Sequence, residues 1–67
     1  MTIDLTLLRQ KRREKDLRLL DLARYLGLET ANAYWRIEQG MTDLSAVRLM
    51  KLCALLDIEP GKIVIEQ

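Results

Sequence analysis

The sequence predicts an all-α domain built from five short helices. Three observations point there. Apolar residues recur at helical spacing through the middle of the chain, with no strand-like alternation in that stretch. Gly27, Gly40 and Pro60 fall where one helical stripe gives way to the next. At 67 residues the chain has enough apolar surface for one small core, so residues 1–67 are expected to form a single domain.

Each element has its own signal. Leu5, Leu8 and Arg12 share one face of a first helix, and Arg12 puts a cation where an apolar group belongs. No glycine or proline lies between Leu5 and Leu26, so the break before the second helix rests on Asp16 as its N-cap. One continuous helix through Leu26 is the alternative. Leu19, Leu22, Ala23 and Leu26 make the second stripe, and Gly27 permits the left-handed residue that ends it. Ala23 is small where two helices cross closely. Thr30 is suited to cap a third helix, Ala31 to Gln39, with Tyr34, Ile37 and Ala33 inward and Gly40 as its stop. Val47, Leu49, Met50, Leu52, Cys53 and Leu56 form the fourth stripe, capped by Asp43 or Ser45 and fading by Asp57. Cys53 reads as a small core residue. Pro60 opens a short last helix to about Val64. Thr2 to Leu5 alternates with period two, and Ile63 to Ile65 is β-branched, so the termini form a short β-ribbon or stay frayed or helical. Such a ribbon would close within one chain or across a dimer.

Composition excludes several function classes. Cys53 is the single cysteine, and without histidine a zinc site lacks ligands, so no metal and no cofactor is expected. The longest apolar run, Leu52 to Leu56, is too short to span a membrane, and nothing resembles a signal peptide. Catalysis is not expected either. The usual general base is missing, Ser45 and Cys53 have no activating base nearby, and Gly27, Gly40 and Gly61 build no phosphate loop. Net charge is +1, but it is uneven: residues 1–36 hold eight basic and five acidic side chains, residues 37–67 three and five. That asymmetry suits a polyanion at the N-terminal half, and equally a solvated helix face.

The stretch from Leu17 to Gly40 is the most specific. A helix ending in Leu26-Gly27, a tight turn, a capping threonine and a second helix ending in Ile37-Glu38-Gln39-Gly40 form a helix-turn-helix pattern. With Arg12, Leu22-Ala23, Arg36, the Leu49 to Leu56 helix and the Pro60 turn, it resembles the phage repressor and Cro-type (Xre-like) helix-turn-helix domain from about Leu8 to Ile63. The resemblance implies a lambda-repressor-like fold, an ion pair between Arg12 and Glu38, and a third helix lying in the DNA major groove. It puts base contacts on Ala31, Asn32, Ala33 and Arg36, and backbone contacts on Arg18, Thr30, Trp35 and Gln39. Asparagine suits adenine and arginine suits guanine in that groove. A solvated Asn32, and an Arg36 paired with Glu29 or Glu38, are the plainer readings. Trp35 is open between sugar and phosphate, a thymine methyl, and the core.

Two departures stand out. The family's cap and phosphate-binding glutamine at the start of the second helix are replaced by Arg18 and Leu19, and leucine donates no hydrogen bond. The turn before Thr30 is one residue longer than usual.

By resemblance the chain is expected to be a cytoplasmic, sequence-specific regulator of a bacterial or phage-infected cell. It would act, as a repressor above all, on double-stranded DNA as a homodimer at an inverted repeat. No membrane and no small-molecule ligand is expected. Met50, Ile58 and Ile63, with the segments Ile3 to Leu5 and Ile63 to Ile65, are the candidate dimer surfaces. The alternative is a protein-interaction module, such as a small antitoxin or anti-regulator.

Overall fold

The computed structural model describes residues 2–65. Five helices follow in order: α1 (Leu5–Glu14), α2 (Leu19–Tyr25), α3 (Ala31–Glu38), α4 (Ala46–Leu56) and α5 (Pro60–Ile63). Two short strands, β1 (Thr2–Ile3) and β2 (Val64–Ile65), pair antiparallel with Thr2 opposite Ile65 and Ile3 opposite Val64. The ribbon therefore closes within one chain. It is extended by the Asp4 N–H, which donates to the Ile63 carbonyl at 2.7 Å. The last helix stops at Ile63 because Val64 is already extended in β2.

Helix starts are set by short polar side chains. Asp4 accepts from the Leu7 N–H at 3.0 Å, Thr30 from Ala33 at 3.2 Å and Ser45 from Arg48 at 3.2 Å. Of the two candidate caps for α4, Ser45 takes the role and Asp43 lies outside the helix. Four helix ends share one device, a left-handed residue followed by a backbone bond reaching five residues back. Asp16, Gly27, Gly40 and Asp57 adopt φ of 53°, 77°, 75° and 55°. The N–H groups after them donate to the carbonyls of Arg12, Ala23, Arg36 and Cys53.

That device corrects the expected role of Asp16. It does not cap α2; it terminates α1, and so breaks what would otherwise continue as one helix. Aspartate serves because its short side chain tolerates the left-handed conformation better than most. The residue preceding α2 is Arg18, whose N–H donates to the Asp21 carboxylate at 2.8 Å. Only this half of a capping box forms, since arginine has no side-chain acceptor.

The core is Leu8, Leu22, Ala23, Leu26, Tyr34, Ile37, Leu52, Cys53, Leu56, Ile58 and Ile63. The α4 stripe splits in two. Leu52, Cys53 and Leu56 are buried, whereas Val47 and Met50 are 67% and 55% exposed. A helix carrying apolar side chains around most of its circumference buries only the third that faces its neighbours. Ile58 and Ile63 are correspondingly inside the protomer and provide no dimer surface, contrary to expectation. The Ile65 side chain lies outside the described residues, while Ile3, Leu5 and Val64 pack partly against the core.

Candidate nucleic-acid interface

α2 and α3 pack closely together, with Leu22, Ala23 and Leu26 against Tyr34 and Ile37. The turn between them runs through Gly27 to Thr30, and its extra residue still delivers Thr30 to the cap position of α3. A second anchor fixes the far end of α3. Arg12 Nε donates to Glu38 Oε2 at 2.7 Å and Arg12 Nη2 to Oε1 at 3.2 Å. The two bonds make a bidentate pair, and the side chains are only 11% and 2% exposed. Arg12 Nη1 also donates to the Leu17 carbonyl at 3.0 Å, which ties the α1–α2 turn to the same guanidinium.

Arg9 is the part of this cluster that sequence reasoning missed. Its Nη2 donates to the Glu38 backbone carbonyl at 3.3 Å, and its Nε lies 3.9 Å from Glu38 Oε1. The available signal was spacing: Arg9 precedes Arg12 by one helical step, on the same side of α1. Tyr34 completes the cluster. Its hydroxyl is buried with no partner at hydrogen-bonding geometry among the described residues. Burial first, and the Glu38 carboxylate second, push the phenol well above its ordinary value, so it stays neutral.

This clamp leaves the opposite side of α3 free. Asn32, Trp35, Arg36 and Gln39 are exposed, with Ala31 and Ala33 half-buried. Asn32 and Arg36 stand one turn apart. Arg36 has no carboxylate within ion-pair distance among the described residues; Glu38 is engaged by Arg12 and Arg9 instead. Trp35 is 39% exposed, which excludes it from the core. Arg18 and Thr30 are exposed at the N-terminal ends of α2 and α3, and Leu19 lies beside Ala31, Asn32 and Trp35 in a shallow recess.

The arrangement presents a short helix on a two-helix support with its outer face exposed. The family model for the helix-turn-helix domain matches residues 8–63. The chain belongs to this family, of the Cro and phage-repressor (Xre-like) type. No curated protein and no solved structure matches it. The helix-turn-helix domain is a DNA-binding regulatory domain rather than an enzymatic one, and membership supports a DNA-binding transcription regulator. α2 and α3 are the two helices of the helix-turn-helix. None of its described helices is long and apolar enough to cross a membrane.

Proposed function

We propose that the protein is a sequence-specific repressor that binds an inverted-repeat operator as a homodimer. One observation carries the reading: the exposed face of α3 offers Asn32 and Arg36 with no side-chain partner among the described residues, while its inner face is locked by Tyr34, Ile37 and Glu38. Arg36 is suited to grip guanine O6 and N7, and Asn32 adenine N6 and N7. Ala31 and Ala33 are small enough to let the helix approach the base edges. Arg18, Thr30, Trp35 and Gln39 flank this face and are assigned to phosphate and sugar. Thr30 stands at the N-terminus of α3, where the Ala31 and Asn32 N–H groups begin the first turn, suited to a phosphate.

Size supports the dimer. One protomer measures 31 × 23 × 18 Å, and so reaches a single half-site of a pair separated by one duplex turn. That turn is about 34–36 Å. Tyr25, Val47 and Met50 stay exposed and, with Ala46 and Ala54, line an apolar groove suited to a protein partner. The groove also favours the second reading, an interaction module that binds a different protein.

Selection from a pool of random duplexes tests the proposal. Enrichment of an inverted repeat, with affinity falling steeply as salt is added, is the expected outcome. No enrichment at low salt, or binding indifferent to salt, overturns it in favour of the protein-interaction module.

A further inference from the structure

A hollow on the surface of α1 is lined by Thr6, Arg9, Gln10, Arg13 and Glu14. The first four stand at i, i+3, i+4 and i+7, on one side of the helix, and all four carry hydrogen-bond donors. Charge here is not balanced within the protomer. Arg9 and Arg12 share one carboxylate, that of Glu38, and Arg12 holds it in a bidentate pair. Arg9 is left 3.9 Å away, so two guanidinium groups face a single negative charge. The Arg9 side chain is 33% exposed, and its Nε is buried with no hydrogen-bond partner among the described residues. Arg13 has no carboxylate within ion-pair distance among the described residues, while Glu14 is met by Lys11 at 3.8 Å. Like charges one helical turn apart repel, and an anion between Arg9 and Arg13 removes that repulsion.

The fold decides which anion is at hand. Arg9 Nη2 donates to the carbonyl of Glu38, the last residue of α3, so the hollow opens beside the C-terminal end of that helix. Thr30 stands at the opposite end. A helix lying in the major groove has a phosphate strand on either side of it. The segment after α3, Gly40 to Ser45, carries Asp43 and no cation, so the flanking cations at this end come from α1. We infer that this face of α1 binds a backbone phosphate of the duplex, with Arg9 and Arg13 gripping its oxygens and Thr6 and Gln10 donating to them. The inference rests on the DNA-binding reading and goes further, adding a contact on a helix outside the helix-turn-helix.

The experiment uses the full chain and the duplex recovered by selection. Each backbone phosphate is replaced in turn by an uncharged methylphosphonate, and binding is read by anisotropy of a labelled duplex across a series of salt concentrations. One phosphate per half-site is expected to weaken binding of wild type roughly fivefold when neutralised, the worth of one released counterion at physiological salt. The same replacement should have almost no effect on Arg13→Gln. That variant should also lower the slope of log affinity against log salt by about one per half-site, with base preferences unchanged. Arg13 is exposed and outside the clamp, so its loss is not confused with unfolding; Arg9→Gln, with its fold checked by circular dichroism, should lose the same phosphate. Specific binding with an unchanged slope in Arg13→Gln overturns the α1 contact and leaves the regulator standing. So does a phosphate effect that survives in Arg13→Gln. Weakened self-association of Arg13→Gln in sedimentation, with every phosphate effect retained, would make the face a protein contact and overturns it as well. Failure to bind any duplex specifically sinks the regulator and the α1 contact together.

Discussion

Glu38→Gln isolates the charge that holds α1 to the end of α3. The substitution keeps shape and one acceptor oxygen but leaves Arg12 as a charge nine-tenths buried without its counterion. Breaking a buried pair by removing one partner costs about 3–5 kcal/mol. The lower end applies here, because Arg12 retains the Leu17 carbonyl and Arg9 can turn toward water. A chain of 67 residues has limited stability to lose. At about 0.05–0.15 kcal/mol per residue, the total is about 3–10 kcal/mol. Urea unfolding followed by circular dichroism reads the change directly. With a slope of about 1 kcal/mol/M for so small a protein, the midpoint should fall by about 3 M. The companion variant, Arg12→Met with Glu38→Leu, replaces the pair by apolar groups and should recover most of that loss. A fall equivalent to less than about 1 kcal/mol for Glu38→Gln would put the pair in the class of exposed bridges and refute the reasoning.

Four further outcomes follow from the same structure. Gly40→Ala should destabilise more than Gly27→Ala: both residues are left-handed, but an added Cβ at Gly40 meets Leu5 Cδ1 at 3.2 Å and one at Gly27 meets nothing. Each carries about 1–2 kcal/mol for the backbone alone, and equal costs in urea unfolding would remove the role given to Leu5. Tyr34→Phe deletes a buried hydroxyl that has no partner at hydrogen-bonding geometry among the described residues, so stability should hold or rise; a loss above about 1 kcal/mol would show that the hydroxyl is hydrogen-bonded in solution. Lys15 bonds Asp57 at 2.8 Å and holds its carboxyl below the usual range. A lowered folded-state value gives stability that is present above the ordinary carboxylate range and lost as pH falls through the folded value. The small advantage of wild type over Lys15→Met should therefore be seen at neutral pH, vanish in acid and shrink with salt, and an advantage that persists in acid contradicts the bridge. Asn32→Ala should leave the unfolding midpoint unchanged while relaxing base preference in each half-site, and an unchanged preference would remove Asn32 from the reading face.

Much of this was legible because period, cap and stop agreed along the chain. Leu22, Ala23 and Leu26 on one side and Tyr34 and Ile37 on the other leave one way to pack α2 on α3. Gly27 and Gly40 mark where each ends. Asp16 was misread because one side chain suits two opposite jobs, opening a helix and ending one in a left-handed turn. The backbone bond from Leu17 to Arg12 decides between them, and no composition signal encodes it. α4 was ambiguous for another reason. Val47 and Met50 are as apolar as Leu52 and Leu56, and only the position of α1 against α4 settles which side is covered. Ile58 and Ile63 went the other way, into the protomer, because the loop and the ribbon fold back over the core. At the site, exposure of Asn32 and Arg36 was readable from Tyr34 and Ile37 alone. The contribution of Arg9 was not, since it depends on where the end of α3 arrives.

The central claim is that the outer face of α3 reads bases, and Arg36→Ala tests it most directly. Binding of wild type and variant should be compared across every single-base change in the selected operator. The expected result is lost discrimination at one position per half-site, worth about 1–3 kcal/mol, with the fold and the remaining preferences intact. Equal weakening on every sequence, with a shallower salt dependence, would place Arg36 on phosphate alone and contradict the claim.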